Sequence, residues 1–369
     1  MISYEDEELL YRIALTQMDQ IGYKYGRRLL QTFGSAKEIF NAPMKKLVSI
    51  SGMGEKKAAA FSMPLDSKTL NAEIDFIRKH NIQPLSILDD AYPQKLKECD
   101  DAPVMLYYKG SESLKHKKMV AIVGSRDNTD YGARVTEELI EGLKGEDIII
   151  VSGLALGIDG IAHRKALQVG LPTIAVVAHG LDTIYPPQHK HIAREMVKQG
   201  GLLTEYPSKT IPDKYNFPMR NRIVAGLSDV TVVIETAKKG GAMITAKLAT
   251  SYNREVLAFP GRTIDKKSEG CNYLIRTNIA QLITDADDLM EMMNWKTVEK
   301  SKVVQPKLFS HLTDEEMNIA SILEGNEGMH IDELLLKSDF TPSQLSSMLL
   351  TMELSGLVKA LPGKRFRMV

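Results

Sequence analysis

Val120-Ala121-Ile122-Val123-Gly124-Ser125-Arg126 is the stretch from which the fold can be read. Four apolar residues stop at a glycine. A serine and an arginine follow, then a polar turn, then a helix-like run from Tyr131 to Lys144. Strand, glycine turn and helix form the opening βα unit of a doubly wound, mostly parallel sheet, an extended Rossmann-like α/β fold. At such a turn backbone N–H groups and a helix N-terminus can hold an anion. Ser125 adds a hydroxyl donor, and Arg126 a planar cation able to fork onto a phosphate.

A second turn of this kind follows. The β-branched run Ile148 to Val151 ends in Ser152-Gly153-Leu154-Ala155-Leu156-Gly157-Ile158-Asp159-Gly160, and a helix is predicted from near Ile161 to Val169. The small residues Gly153, Ala155 and Gly157 let the backbone approach a ligand or another strand closely. Either turn alone is read equally well as a tight connection with no ligand. Two on neighbouring strands, each with polar donors, point to a phosphate-lined groove. Neither is a dinucleotide fingerprint or a Walker A loop.

The 369 residues predict about two to three domains. Lysine plus arginine and aspartate plus glutamate both number 47, so any nucleic-acid binding must come from a local patch. Cys99 and Cys271 are far apart and lack partners at metal-ligand spacing, and both read as reduced and structural. Met1 to Leu10 is acidic without an apolar core, unlike a signal peptide. No apolar run approaches the ~18 residues a membrane span needs. A cytoplasmic protein without membrane contact is expected.

Residues 1–64 are predicted to be a separate helical unit, with helices over Tyr4 to Gln17, Gly22 to Phe33 and Ala36 to Phe40. Leu47-Val48-Ser49-Ile50-Ser51-Gly52-Met53-Gly54-Glu55-Lys56-Lys57-Ala58 resembles a helix-hairpin-helix of the SAM-like kind. Gln20-Ile21-Gly22, with Arg27 and Arg28 after it, reads as a degenerate first copy. Such a turn meets a DNA phosphate through its N–H groups, or merely closes a small bundle.

Residues 65–295 are expected to form one Rossmann-like domain, in which 65–118 lead into the sheet and Val120 to Leu289 alternates strands and helices regularly, which implies helices on both faces. Ligands of such sheets sit outside the carboxyl ends of the strands. Gly124, Ser125, Arg126, Ser152 to Asp159, His179, Gly180 and Glu235 fall there. The span 213–227 contains Phe217-Pro218-Met219-Arg220-Asn221-Arg222-Ile223 and is assigned no element. An aromatic ring beside arginines at the rim of a phosphate-binding turn suits single-stranded nucleic acid. The alternative packs Phe217 in the core and pairs the arginines with Asp229 or Glu235.

Residues 296–311 read as a linker. Residues 312–369 read as a winged helix, with Thr313 capping its first helix and Pro342 opening the third. That third helix carries no Lys or Arg. Only the wing (Lys364, Arg365, Arg367) is basic, so the module suits protein as well as DNA. Acid–base chemistry could involve Asp159, His163, Glu205 or Glu235. Asp159 and His163 are four apart and share a helix face, as a catalytic couple or as a cap and a satisfied histidine. With no nucleophile elbow, metal-ligand cluster or Walker lysine, no catalytic residue, metal or cofactor is assigned.

Val-Gly-Ser-Arg at 123–126, Ser-Gly-Leu-Ala-Leu-Gly-Ile-Asp at 152–159, Ala162-His163, Gly180, Tyr185-Pro186, Glu205-Tyr206-Pro207, the 217–223 group and Phe259-Pro260-Gly261 together resemble the DNA-processing protein A (DprA/Smf) family. The resemblance implies a non-catalytic single-stranded DNA binder that forms a homodimer through the Rossmann-like domain. It would protect incoming DNA during natural transformation and load the RecA recombinase onto it. Carried over by motif, Gly124, Ser125 and Arg126 hold backbone phosphate, Arg220, Asn221 and Arg222 line the same groove, and Phe217 stacks on a base. Ser152, Gly153, Gly157 and Lys239 complete the expected contact set. Lys239-Gly240-Gly241 departs from the family's frequent Ser-Gly-Ser, replacing hydroxyl donors by a cation. The alternative function is a nucleotide-processing enzyme like the nucleotide phosphoribohydrolases, whose Pro-Gly-Gly-x-Gly-Thr is poorly approximated by Gly240-Gly241-Ala242-Met243. A transcription regulator acting through the winged helix is a third reading, which the uncharged third helix disfavours.

Overall fold

The computed structural model describes residues 4–19, 21–115, 117–296, 313–324, 326, 328–361 and 363–368. Apart from Lys296, the expected linker lies outside the described residues. The chain forms two compact units, Met1–Trp295 and Lys296–Val369.

The first unit opens with helices α1 (Tyr4–Gln17), α2 (Tyr23–Phe33), α3 (Ala36–Phe40), α4 (Met44–Val48) and α5 (Glu55–Ala59). Between α4 and α5 lies the expected hairpin turn, with Gly52 at φ 81°. The buried Glu8 carboxylate of α1 accepts from the N–H groups of Ala36 and Lys37, at 2.9 and 3.0 Å, and so satisfies the start of α3. Leu15, Leu29, Leu30 and Phe61 share one apolar cluster with Leu85, Leu106 and Tyr108 of the sheet. The helical segment is thus packed onto the sheet rather than set apart from it. Arg27 and Arg28 donate to the carbonyls of Cys99 and Ser51.

After α6 (Ser67–Lys79) come β1 (Gln83–Ser86), α7 (Gln94–Lys97), β2 (Met105–Gly110) and β3 (Lys118–Val123). The chain continues through α8 (Asp130–Gly142), β4 (Ile148–Ser152), α9 (Ile158–Val169), β5 (Thr173–Val176), α10 (Lys190–Lys198) and β6 (Gly200–Thr204). It ends with α11 (Asn216–Leu227), β7 (Val230–Val233), α12 (Gly241–Ser251), β8 (Glu255–Ala258), α13 (Glu269–Arg276), β9 (Gln281–Leu282) and α14 (Ala286–Met292). Among the described residues the strands form one nine-stranded sheet in the order β1-β2-β6-β5-β4-β3-β7-β8-β9. From β6 to β9 every pairing is parallel, whereas β2 meets both β1 and β6 antiparallel.

Val120, Ala121 and Ile122 are fully buried, as are Ile148 to Val151, because helices cover both faces of the parallel part. From β3 the chain winds outward through β4, β5 and β6, then returns to place β7 on the other side of β3. This reversal leaves a crevice at the carboxyl ends of β3 and β7, where ligands of such sheets bind.

In the second unit α15 (Asp314–Leu323) starts with the expected capping box between Thr313 and Glu316. β10 (Met329–His330), α16 (Ile331–Lys337), α17 (Pro342–Leu354), β11 (Val358–Leu361) and β12 (Arg365–Met368) complete a winged helix. Its small antiparallel sheet runs β10-β12-β11 around a core of Ile319, Leu323, Leu334, Leu345, Leu349 and Met352.

Candidate functional site

A cleft of about 290 Å³ occupies the crevice between β3 and β7. Its walls are the Gly124–Arg126 turn, Ala155 and Asp159 of the second turn, Arg220 and Asn221 of α11, and Thr236, Ala237 and Gly240 to Ala242 leading into α12. Two chain segments far apart in sequence meet there because β3 and β7 are neighbours, in register from Val120–Val230 to Val123–Val233.

Each segment offers anion-binding groups. α12 follows Gly240 as its N-cap, with no side-chain cap and no acidic residue in its first turn, so its N-terminal end is positive. Arg126 is exposed at the opposite wall, its guanidinium 5.1 Å from the centroid of the Phe217 ring. The Ser125 hydroxyl donates to Asp127 O at 3.0 Å and accepts from its N–H at 3.1 Å, which shapes the turn. Gly157, at φ 77°, lies against the Ser125 carbonyl so closely that an added Cβ would collide with it.

Arg220 is 4% exposed and forms part of the floor. Its Nη1 donates to Gly153 O at 2.6 Å and to Val176 O, tying α11 to the ends of β4 and β5. Burial lowers its pKa to about 10, an effect opposed by the carboxylate of Asp159. Asp159 accepts from the N–H groups of Gly153 and Ala155 at 3.1 and 3.3 Å, so it braces the second turn. Burial raises its pKa, and Arg220 acts against the rise.

The structure thus gathers Gly124, Ser125, Arg126, Arg220 and Asn221 at one cleft, with Phe217 against Arg126. Other expected contacts have different places. Arg222 does not line the cleft. It is buried on another side of α11, where it donates to Asp101 O, pairs with Glu205 and lies over the Tyr23 ring. The Ser152 hydroxyl is buried and donates to Ile122 O at 2.6 Å, holding β4 to β3. The Gly153 N–H is bonded to Asp159 and its carbonyl to Arg220, so Gly153 and Gly157 serve the shape of the turns. Lys239 is exposed and outside the cleft lining, where the backbone of Gly240 and Gly241 stands instead. The double glycine before an apolar helix is the sequence signal for that wall.

The acid–base candidates are held in structural bonds. Glu235 accepts from the Thr129 N–H at 2.9 Å and from its hydroxyl at 2.6 Å, at the start of α8. His163 is fully buried and faces Thr173, 2.7 Å from its hydroxyl, rather than Asp159. Burial lowers its pKa to about 3. Glu205 is paired with Arg222. Among the described residues no group of three or more His, Cys, Asp or Glu is placed to hold a metal ion, and no helix is long and apolar enough to cross a membrane.

Fold and cleft define a Rossmann-like domain with a crevice at its switch point, carrying helical hairpins before it and a winged helix after it. Residues 83–294 match the model of the family described as DNA recombination-mediator protein A. Residues 306–364 match the DprA winged helix domain and residues 13–60 the SAM-like helix-hairpin-helix tandem. The chain belongs to the DNA recombination-mediator protein A (DprA/Smf) family. It is 32% identical over 322 residues to Protein Smf of Escherichia coli (strain K12), covering 86% of each chain. The crystallographic structure of DNA processing protein A from Streptococcus pneumoniae aligns with a TM-score of 0.68 at 35% identity, over 76% of this chain and 97% of that one. The structure of DNA processing protein A from Helicobacter pylori, described for its unique single-stranded DNA binding mode, aligns with a TM-score of 0.53 at 32% identity, over 58% of this chain and 95% of that one.

Proposed function

We propose that this chain binds single-stranded DNA at the cleft between β3 and β7. There it protects incoming DNA during natural transformation and loads the RecA recombinase onto it, acting as a homodimer in the cytoplasm. The observation that carries the binding is the convergence of the Gly124–Arg126 turn and the uncapped α12 N-terminus on one crevice, with Arg126 and Phe217 at its rim. Backbone N–H groups and a cation suit a phosphate, and an adjacent ring suits a base. The Helicobacter pylori relative's single-strand binding supports the same ligand here. The pairing of Glu205 with Arg222 and the bonds from Glu235 to Thr129 support binding without catalysis.

The test is a salt titration of a fluorescent oligo-dT and a matched duplex. Single-strand preference with a steep salt dependence is expected. Arg126→Ala should weaken binding and make the log–log salt slope shallower by about 1, as removal of one phosphate contact does. Equal binding to duplex, or an unchanged slope, would move the DNA site away from the cleft.

A further inference from the structure

Beside the cleft stands an aromatic side chain that neither the anion-binding turn nor the core accounts for. Tyr185 is 44% exposed although its neighbour Pro186 is buried. Its ring lies 5.9 Å from that of Phe217 at an interplanar angle of 48°. Phe217 in turn carries the Arg126 guanidinium at 5.1 Å. Phe217 therefore touches both a cation of the phosphate turn and a second, more exposed ring. Two further exposed apolar side chains come from the elements framing the cleft: Leu156 from the second turn and Met219 from α11.

Tyr185 is also held from behind. Its backbone N–H donates to Nε2 of the buried His179 at 3.2 Å, while His179 Nδ1 lies 2.9 Å from Gly180 O. A histidine that accepts at Nε2 and donates at Nδ1 is the neutral tautomer. The ring is thus exposed on a fixed backbone, an arrangement suited to a ligand with a flat apolar face.

We propose that Tyr185 is a second base-stacking ring of the single-strand site, beside Phe217. The inference rests on the reading of the cleft as a single-stranded DNA site. Two rings 5.9 Å apart and tilted by 48° do not match bases kept at the ~3.4 Å repeat of a duplex strand. The site therefore takes unstacked, unpaired bases, and the rings supply part of its preference for single strands.

The experiment compares the full chain and its Tyr185→Ala and Tyr185→Phe variants for binding a fluorescent oligo-dT and an abasic oligomer of equal length. Arg126→Ala is measured alongside, and thermal melting checks folding. Tyr185→Ala should weaken oligo-dT binding about tenfold, the size of one lost stacking contact, with an unchanged salt slope. Abasic binding should not change, and Tyr185→Phe should bind oligo-dT like the parent. If Arg126→Ala flattens the salt slope but Tyr185→Ala leaves oligo-dT binding intact, or weakens both oligomers equally, the stacking role is overturned while the DNA site stands. If Arg126→Ala leaves the slope unchanged, the site and the stacking role fall together.

Discussion

Arg220 and Arg222 stand two positions apart on α11, yet their guanidinium groups serve different sides of the helix. Arg220 lines the cleft floor and donates to the carbonyls of Gly153 and Val176, whereas Arg222 reaches Asp101 and Glu205. Successive helix positions turn by about 100°, so side chains two apart point away from each other. Only one arginine of the pair can belong to the cleft.

Arg222 therefore acts on stability. It is 4% exposed, and with Glu205 it forms a buried ion pair. Arg222→Ala leaves the Glu205 carboxylate buried without its partner and should cost about 3–5 kcal/mol in urea unfolding of the first unit. Replacing both members by apolar residues (Arg222→Met with Glu205→Leu) should cost less than either single change, because no buried charge remains. A native unfolding midpoint for Arg222→Ala together with weakened oligo-dT binding would return Arg222 to the DNA site.

Gly157→Ala should disturb the phosphate turn from a distance. The residue adopts φ 77° and an added Cβ would meet the Ser125 carbonyl, so the backbone must shift. Oligo-dT affinity should fall together with stability, whereas Gly170→Ala, at φ 84° with open space around it, should lower stability alone. Equal retention of binding by both variants would uncouple the two turns.

Acid should weaken the fold through His163. Its folded pKa lies near 3, below the ordinary 6.5, so the unfolded chain binds the proton more tightly. The neutral buried ring contributes stability above pH 6.5 and loses that contribution as pH falls towards 3. Stability measured by urea titration should decline from pH 6.5 downwards, and His163→Gln should flatten this limb. An unchanged limb would assign the acid sensitivity to other groups.

Glu235→Gln should act as a structural change. The carboxylate holds Thr129 by two hydrogen bonds, and weakening them should cost about 1–2 kcal/mol. Neither the parent nor the variant should release free base from nucleoside monophosphates. Turnover by the parent that disappears in Glu235→Gln would replace the binding function by nucleotide hydrolysis.

Much of the fold is legible locally. The Val120–Arg126 and Ile148–Gly160 turns are contiguous strand-to-helix signals, and the Thr313–Glu316 capping box lies within a single helical turn. α11 was less legible. It holds Pro218 and Gly226, and it is buried continuously from Arg222 to Leu227, so no polar face alternates with an apolar one. The Gly240–Ala242 wall was legible as a glycine turn before a helix but not as part of the cleft, because the Gly124–Arg126 turn that it meets there lies more than a hundred positions earlier.

By itself, the sequence determined the parallel α/β class, the strand-to-helix course of the Gly124–Arg126 turn and the capped helices of the terminal winged module. These depend on hydrophobic period, glycine conformation and nearby caps, all set within a few residues. Tertiary structure alone decided that β7 returns beside β3, which brings the α12 N-terminus opposite Arg126. It also decided that Arg220 faces the cleft while Arg222 and the Ser152 hydroxyl are directed to other partners. Strand order and the direction of a buried side chain follow from long-range packing, where each buried polar group must find its hydrogen-bond partner.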